Sequence, residues 1–308
     1  MSGFGFGVGG FADTFSCGGK EPVWDHPCFK DLTLGNSLSG GAASKEAPSR
    51  ANMQSLVDAL SLVTAQLYSL SSRAPAGRVR KAAGMAHSAF MRSMELCRAL
   101  PKVTDHQSFY ELLTSFVARV KALTPGAVLV MPAGWKGGLV TLVLHCASFD
   151  SFTLAVCSVG DGLLYHAVRV DPGSGAMQYN SPLLVRDIPA HRIRDGAFWF
   201  VALKAALFPD SKHSAALFYE QLLPYLNQRP LASNVSAATV DASGHMKLGD
   251  GVALHWLVAE ADAFGHKLAS LAAVAALQLA ADESSGAPIP PPPGGPADPF
   301  GGANGGGG

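Results

Sequence analysis

Neither sign of charge is in surplus: 23 Lys and Arg balance 23 Asp and Glu over 308 residues. A surface that grips a polyanion carries a clear basic excess on one face. Nucleic acid is therefore not an expected partner. Long apolar runs are also missing, and the opening residues MSGFGFGVGGFADTF have neither the basic stretch nor the apolar stretch of a secretory leader. The expectation is a soluble, cytoplasmic chain that makes no membrane contact. The five cysteines, at 17, 28, 97, 146 and 157, form no CxxC pair and are odd in number. That argues against a disulfide framework and a zinc ribbon and leaves reduced thiols. A GxSxG elbow, a Walker-type phosphate loop, an HExxH pair and a GxGxxG turn behind a strand are all absent. No cofactor and no metal are expected.

What the chain does have is apolar bulk: 48% of its residues are hydrophobic and 15% charged, enough to bury a sizeable core. Charge is unevenly spread. Residues 51–125 hold nine Lys and Arg against four acids, a net of +5, whereas residues 126–308 hold ten against fourteen, a net of −4. The basic cluster Arg73, Arg78, Arg80 and Lys81 has no interleaved aromatic and reads as a solvated helix end. Residues 1–49 form a Gly- and Ser-rich leader, 50–283 a single folded domain, and 284–308 a Pro- and Gly-rich tail expected to be disordered. Pro288 and the run Pro290 to Pro293 favour polyproline II, the conformation that SH3, WW, EVH1 or profilin-type aromatic grooves accept.

Within the domain the hydrophobic period changes twice. Leu56, Leu60, Val63, Leu67 and Leu70 lie on one helical stripe ended by Pro75 and Gly77. Further helical patterns run from Arg78 to Leu100 and from Asp105 to Leu123, so short connections make the three helices antiparallel neighbours. Strand-like stretches follow at 127–131, 139–146, 152–158, 163–170 and 177–185, with 132–138 a loop carrying Trp135 at its tip. The best turn signal is Asp161-Gly162. Helical patterns resume at 190–207, 213–227 and 252–282. The order predicts an α+β fold: N-terminal antiparallel helices, a central antiparallel β-meander of about five strands, then C-terminal helices.

Register places the polar residues of the meander. If residues 146 and 152 close the first hairpin, Leu139 lies opposite Val159, which brings Asp161 near residues 137–139 and leaves His145 at the other end beside a neighbour such as Thr153. If Asp161-Gly162 is a two-residue turn, Cys157 faces His166 on one side of the sheet. Cys157, His166 and Asp161 are then candidates for nucleophile, base and orienting acid, and a core cysteine beside a hydrogen-bonded core histidine is the alternative. Trp135 and His145 are candidate binding residues. His255, Asp262 and His266 would share one face of a single helix; they form a metal-like donor set with no fourth ligand, and are read as that helix's polar face.

The segment MPAGWKGG (131–138), a strand, a hairpin and CSVGDGLLYH (157–166) together resemble papain-like cysteine peptidase domains over residues 131–195. Such domains set the base histidine near the start of one strand, its orienting Asn or Asp near the end of the next, and the thiolate at a helix N-terminus. The resemblance implies Asp161 as the orienting acid. The base position falls among Gly137, Gly138, Leu139 and Val140, none of which can take a proton. It therefore implies a degenerate hydrolase that binds a protein or peptide ligand without cleaving it. Two alternatives stand beside it: an active cysteine hydrolase using Cys157, His166 and Asp161, and an adaptor whose working end is the Pro-rich tail.

Overall fold

The first helical stripe folds as spaced: α1, Arg50–Arg73, buries Leu56, Leu60, Val63 and Leu67 along one side. It packs against α2, Arg78–Ala99, which buries Ala82, Ala83, Ala86 and Ala89 together with Phe90 and Met94. A 3₁₀ turn, Leu100–Lys102, leads to α3, His106–Lys121. Asp105 caps α3 by accepting from the backbone N–H of Ser108 at 2.9 Å. In this computed structural model the described residues are 50–74, 76–159, 161–170, 177–231, 238–240, 246–248, 255–257 and 264–284.

The main sheet has four antiparallel strands in the order β1-β2-β3-β6: β1 Val128–Trp135, β2 Gly138–Cys146, β3 Ser151–Cys157 and β6 Leu183–Pro189. The β2–β3 register has Cys146 opposite Phe152 and Thr141 opposite Cys157, the alignment expected from closing the hairpin at 146 and 152. The expected five-strand meander is not what forms. Residues 132–135 are not loop but the end of β1, and the two-residue turn is Lys136-Gly137, with Gly137 at φ +92°. Pro132 is tolerated there because β1 is an edge strand. The edge is not bare, since α2 lies along it: the Val130 N–H donates to Ser93 Oγ at 2.7 Å, and Cys97 Sγ donates to the Val130 carbonyl at 3.6 Å.

The stretch read as a strand over 163–170 is a 3₁₀ turn, Asp161–Tyr165, followed by the short β4, Val168–Val170. The stretch 177–185 is interrupted at Pro182, giving β5, Met177–Ser181, which pairs with β4 in a separate sheet, and β6, which returns to β3. The β3–β6 register slips between Phe152 and Leu154, close to Asp187, which sits at φ +55° with its carboxylate 3.0 Å from Arg229.

Beyond the sheet come α4, Ala190–Ile193, and α5, Gly196–Leu207, which packs on β1. The helix expected over 213–227 contains a π turn, Leu217–Leu222, followed by α6, Leu223–Asn227. Pro224 has no N–H to offer Glu220, so the regular ladder cannot continue through this point. Strands β7, Ala238–Val240, and β8, Met246–Leu248, form a hairpin, and β9, His255–Leu257, pairs with β5. His255 is therefore on a strand, not on one helix with His266. The last helix, α7, Phe264–Ser284, buries Leu271 through Leu277 against α1, α2 and β2. Over residues 271–277 it is apolar on every side, which places that stretch inside the fold. Among the described residues no helix is long and apolar enough to cross a membrane.

Candidate functional site

Trp135, Cys157 and His166 meet at one end of the main sheet, where the β1–β2 turn, the end of β3 and the 3₁₀ turn come together beside the π turn. Their meeting point is Tyr219, which is fully buried. The Nε2 of His166 lies 3.1 Å from the Tyr219 hydroxyl, and the Ser158 hydroxyl bonds to the same phenol. Tyr165 stacks on the Tyr219 ring with centroids 4.7 Å apart and planes at 4°. Trp135 meets Tyr219 edge-on at 5.7 Å and Phe218 at 5.5 Å. A single π-turn tyrosine thus ties together segments more than fifty residues away from it in the sequence.

Two glycines make this packing fit. A Cβ at Gly138 would stand 2.6 Å from Cε2 and Nε1 of the Trp135 indole. A Cβ at Gly162 would stand 2.6 Å from both the Ser158 and Tyr219 hydroxyl oxygens and 3.0 Å from the indole Cη2. The indole is held between Gly138 and Gly162, with no room for a side chain at either position. Gly162 is there for close approach and not to turn a hairpin, which is why the Asp161-Gly162 signal misleads.

The cross-strand pairing of Cys157 with His166 does not form. The backbone partner of Cys157 is Thr141, and His166, whose N–H donates to the Leu163 carbonyl at 2.9 Å, follows a helical turn and not a strand. His166 reaches Tyr219 instead. The role given to the Asp161 carboxylate lies outside what the structure describes; its backbone opens the 3₁₀ turn. His145 is paired with Thr153, as expected, but it lies four residues along β2 from Thr141, roughly 13 Å away, and shares no site with Cys157. Trp135, expected at a loop tip, is the last residue of β1, 2% exposed, and packs in the core.

The thiols are electrostatically quiet. Cys157 is fully buried, and burial alone pushes its pKa far up, with no cation among the described residues shown to favour the thiolate. Burial likewise raises Cys97 from 9.0 to about 12, only slightly opposed by Arg98. Tyr219 is raised chiefly by its own burial, partly countered by the Ser158 bond and reinforced by the nearness of Cys157 and Tyr165. Tyr165 is raised by desolvation and by Glu220, to which it is hydrogen-bonded. These shifts carry a stability signature. A buried thiol keeps its proton while the unfolded thiol loses it, so the stabilisation is complete below the ordinary thiol pKa and is lost as pH climbs toward the folded value. Unfolding free energy measured by urea titration should therefore fall between pH 9 and 10, by about 1 kcal/mol for Cys97 alone. Cys97→Ala should flatten that fall, and an unchanged slope in the variant would contradict it.

A second concave feature lies away from the sheet, between α1 and α2, with a volume of about 760 Å³. It is lined by Thr64, Ala65 and Met94 and by Tyr68 and His87, whose rings lie 5.4 Å apart. Sequence reading missed it. The signal was present as exposed large apolar residues on otherwise well-formed helices, Tyr68 at 62% and Met91 at 56%. Among the described residues no group of His, Cys, Asp and Glu is placed to hold a metal ion. The Pro-rich tail, Cys17, Cys28 and Asp262 lie outside the described residues. No protein-family model matches the chain, and no curated protein or solved structure matches it either.

Proposed function

We propose that the chain is a degenerate relative of papain-like cysteine hydrolases that binds a protein or peptide segment without cleaving it. One observation carries the non-catalytic half of this reading. The resemblance expects the base histidine among Gly137, Gly138, Leu139 and Val140, and the volume a side chain would take at Gly138 is filled by the Trp135 indole at 2.6 Å. The neighbouring positions offer no substitute: Gly137 makes the turn, and Leu139 and Val140 are buried and apolar. The one thiol at this end of the sheet among the described residues, Cys157, is closed off from solvent and held as the neutral thiol. General acid–base chemistry needs a group whose pKa lies near the working pH and which can reach the substrate. Cys157 satisfies neither condition. What remains is a rigid, plugged sheet end and a separate open groove, a combination suited to holding a ligand.

The test is cysteine-by-cysteine labelling of the native chain with iodoacetamide at neutral pH, beside an assay for hydrolysis of a fluorogenic peptide amide. Cys97, Cys146 and Cys157 should stay unmodified until the chain is unfolded, and no amide should be cleaved. Fast native labelling of Cys157, or amide cleavage that Cys157→Ser abolishes, would overturn the reading.

A further inference from the structure

We infer that the groove between α1 and α2 is the binding site for an acidic, amphipathic helical segment of another protein. This rests on the peptide-binding reading above and names the site and chemistry of the ligand. The groove is built from two facing helical stripes. On α2, His87, Met91, Met94, Arg98 and, one turn further, Lys102 recur at steps of three and four; on α1, Ser61, Thr64, Ala65 and Tyr68 do the same. Its volume, about 760 Å³, lies within the range of sites that hold a ligand. The apolar groups between the two stripes, Met91, Met94, Ala65 and the Tyr68 ring, fit the apolar face of a helix laid lengthwise, with anchors at i, i+3 or i+4, and i+7. Methionine adapts its unbranched side chain to such anchors.

The charges at one end select the sign of the ligand. Glu95, the groove's acid, is already paired with the Arg119 guanidinium, which also donates to the Arg92 carbonyl at 2.6 Å. Arg98 and Lys102 are exposed and take part in no ion pair among the described residues. The groove therefore presents an apolar middle and two uncompensated cations at one end, within a stretch of the chain whose net charge is +5 over residues 51–125. Carboxylates on the ligand would neutralise Arg98 and Lys102, whereas lysines there would be repelled.

Two synthetic 14-residue peptides with the same Leu and Phe anchors at helical spacing, one otherwise Glu-rich and the other Lys-rich, test this on the full chain. Fluorescence anisotropy reads affinity, and backbone NMR shifts locate the site. The acidic peptide should bind at least tenfold more tightly than the basic one, weaken as salt is raised, and move resonances of residues 61–68 and 87–102. The double variant Arg98→Glu/Lys102→Glu alters exposed side chains and should keep the native melting temperature while reversing the preference. Equal binding of both peptides, binding of neither, or shifts confined to other elements would overturn the groove assignment while leaving the non-catalytic reading to the thiol-labelling test. Two other results also overturn it: dimerisation by light scattering that the double variant abolishes, which assigns the groove to a second copy, and intrachain cross-links from Lys102 to Lys20, Lys30 or Lys45, which assign it to the chain's own N-terminal residues.

Discussion

Placing a histidine at position 138 should destabilise the chain by about 3 kcal/mol and give no hydrolase. The added Cβ meets Cε2, Nε1 and Cζ2 of Trp135, all within 2.8 Å. The indole has little room to step aside, because Phe218 and Tyr219 pack against it and even a Cβ built at Gly162 would stand only 3.0 Å from its Cη2. Nor can the backbone move, since Gly138 is paired with Trp135 as the last rung before the Lys136-Gly137 turn. Two-state urea unfolding reads the loss. A double-mutant cycle makes the cause specific. Trp135→Ala alone removes a buried aromatic and costs about 4 kcal/mol, but the pair Trp135→Ala/Gly138→His should cost clearly less than the sum of the singles, because losing the indole removes the clash and the imidazole fills part of the space left. Strict additivity would mean that the indole does not occupy the base position. Amide hydrolysis by Gly138→His with unchanged stability would overturn the non-catalytic reading as well.

Local pattern alone was enough for much of the helical part. Leu56, Leu60, Val63 and Leu67 announce α1 by spacing, and Pro101 and Pro125 mark where α2 and α3 must have ended. The β2–β3 register was also legible, because a short loop between two strongly apolar runs leaves one alignment that keeps both on the sheet. What failed was non-local. Leu163 and Leu164 read as strand by composition, yet Gly162 is held against Ser158 and Tyr219, and that close approach folds residues 161–165 into a turn. The apolar run after residue 177 looked continuous until Pro182 split it between two sheets. The candidate site was half legible. Trp135, Cys157 and His166 do gather at one sheet end, but the residue that gathers them is Tyr219, on a distant π turn that no periodicity marks. The α1–α2 groove was invisible for a related reason: exposed Tyr68 and Met91 count as ordinary surface residues until their helices are seen side by side.

Because so many segments converge on Tyr219, its removal should be among the most costly single changes in the fold. Tyr219→Ala deletes a fully buried ring that stacks on Tyr165 at 4.7 Å, meets Trp135 at 5.7 Å and Phe218 at 5.3 Å, and carries the hydroxyl facing His166. Buried aromatic-to-alanine changes cost about 4 kcal/mol, a large share of the 5–15 kcal/mol that holds an ordinary domain together. Tyr219→Phe separates the two contributions. It keeps the ring and removes only the hydroxyl, so it should cost about 1–2 kcal/mol, most of it from leaving the His166 and Ser158 groups without the partner they share at the phenol. If the two variants lose equal stability, the hydroxyl network and not the packed ring secures this end of the sheet. If Tyr219→Phe is neutral, the network contributes nothing and the plug is purely apolar. In the alanine variant Cys157 becomes the sensitive reporter, since its high pKa comes from burial alone. Opening the space beside it should let water in and bring its alkylation rate up from negligible toward that of an ordinary thiol. Faster labelling that appears without any peptide-amide hydrolysis would show the thiol to be sequestered by packing and not by the loss of a catalytic partner that could be restored.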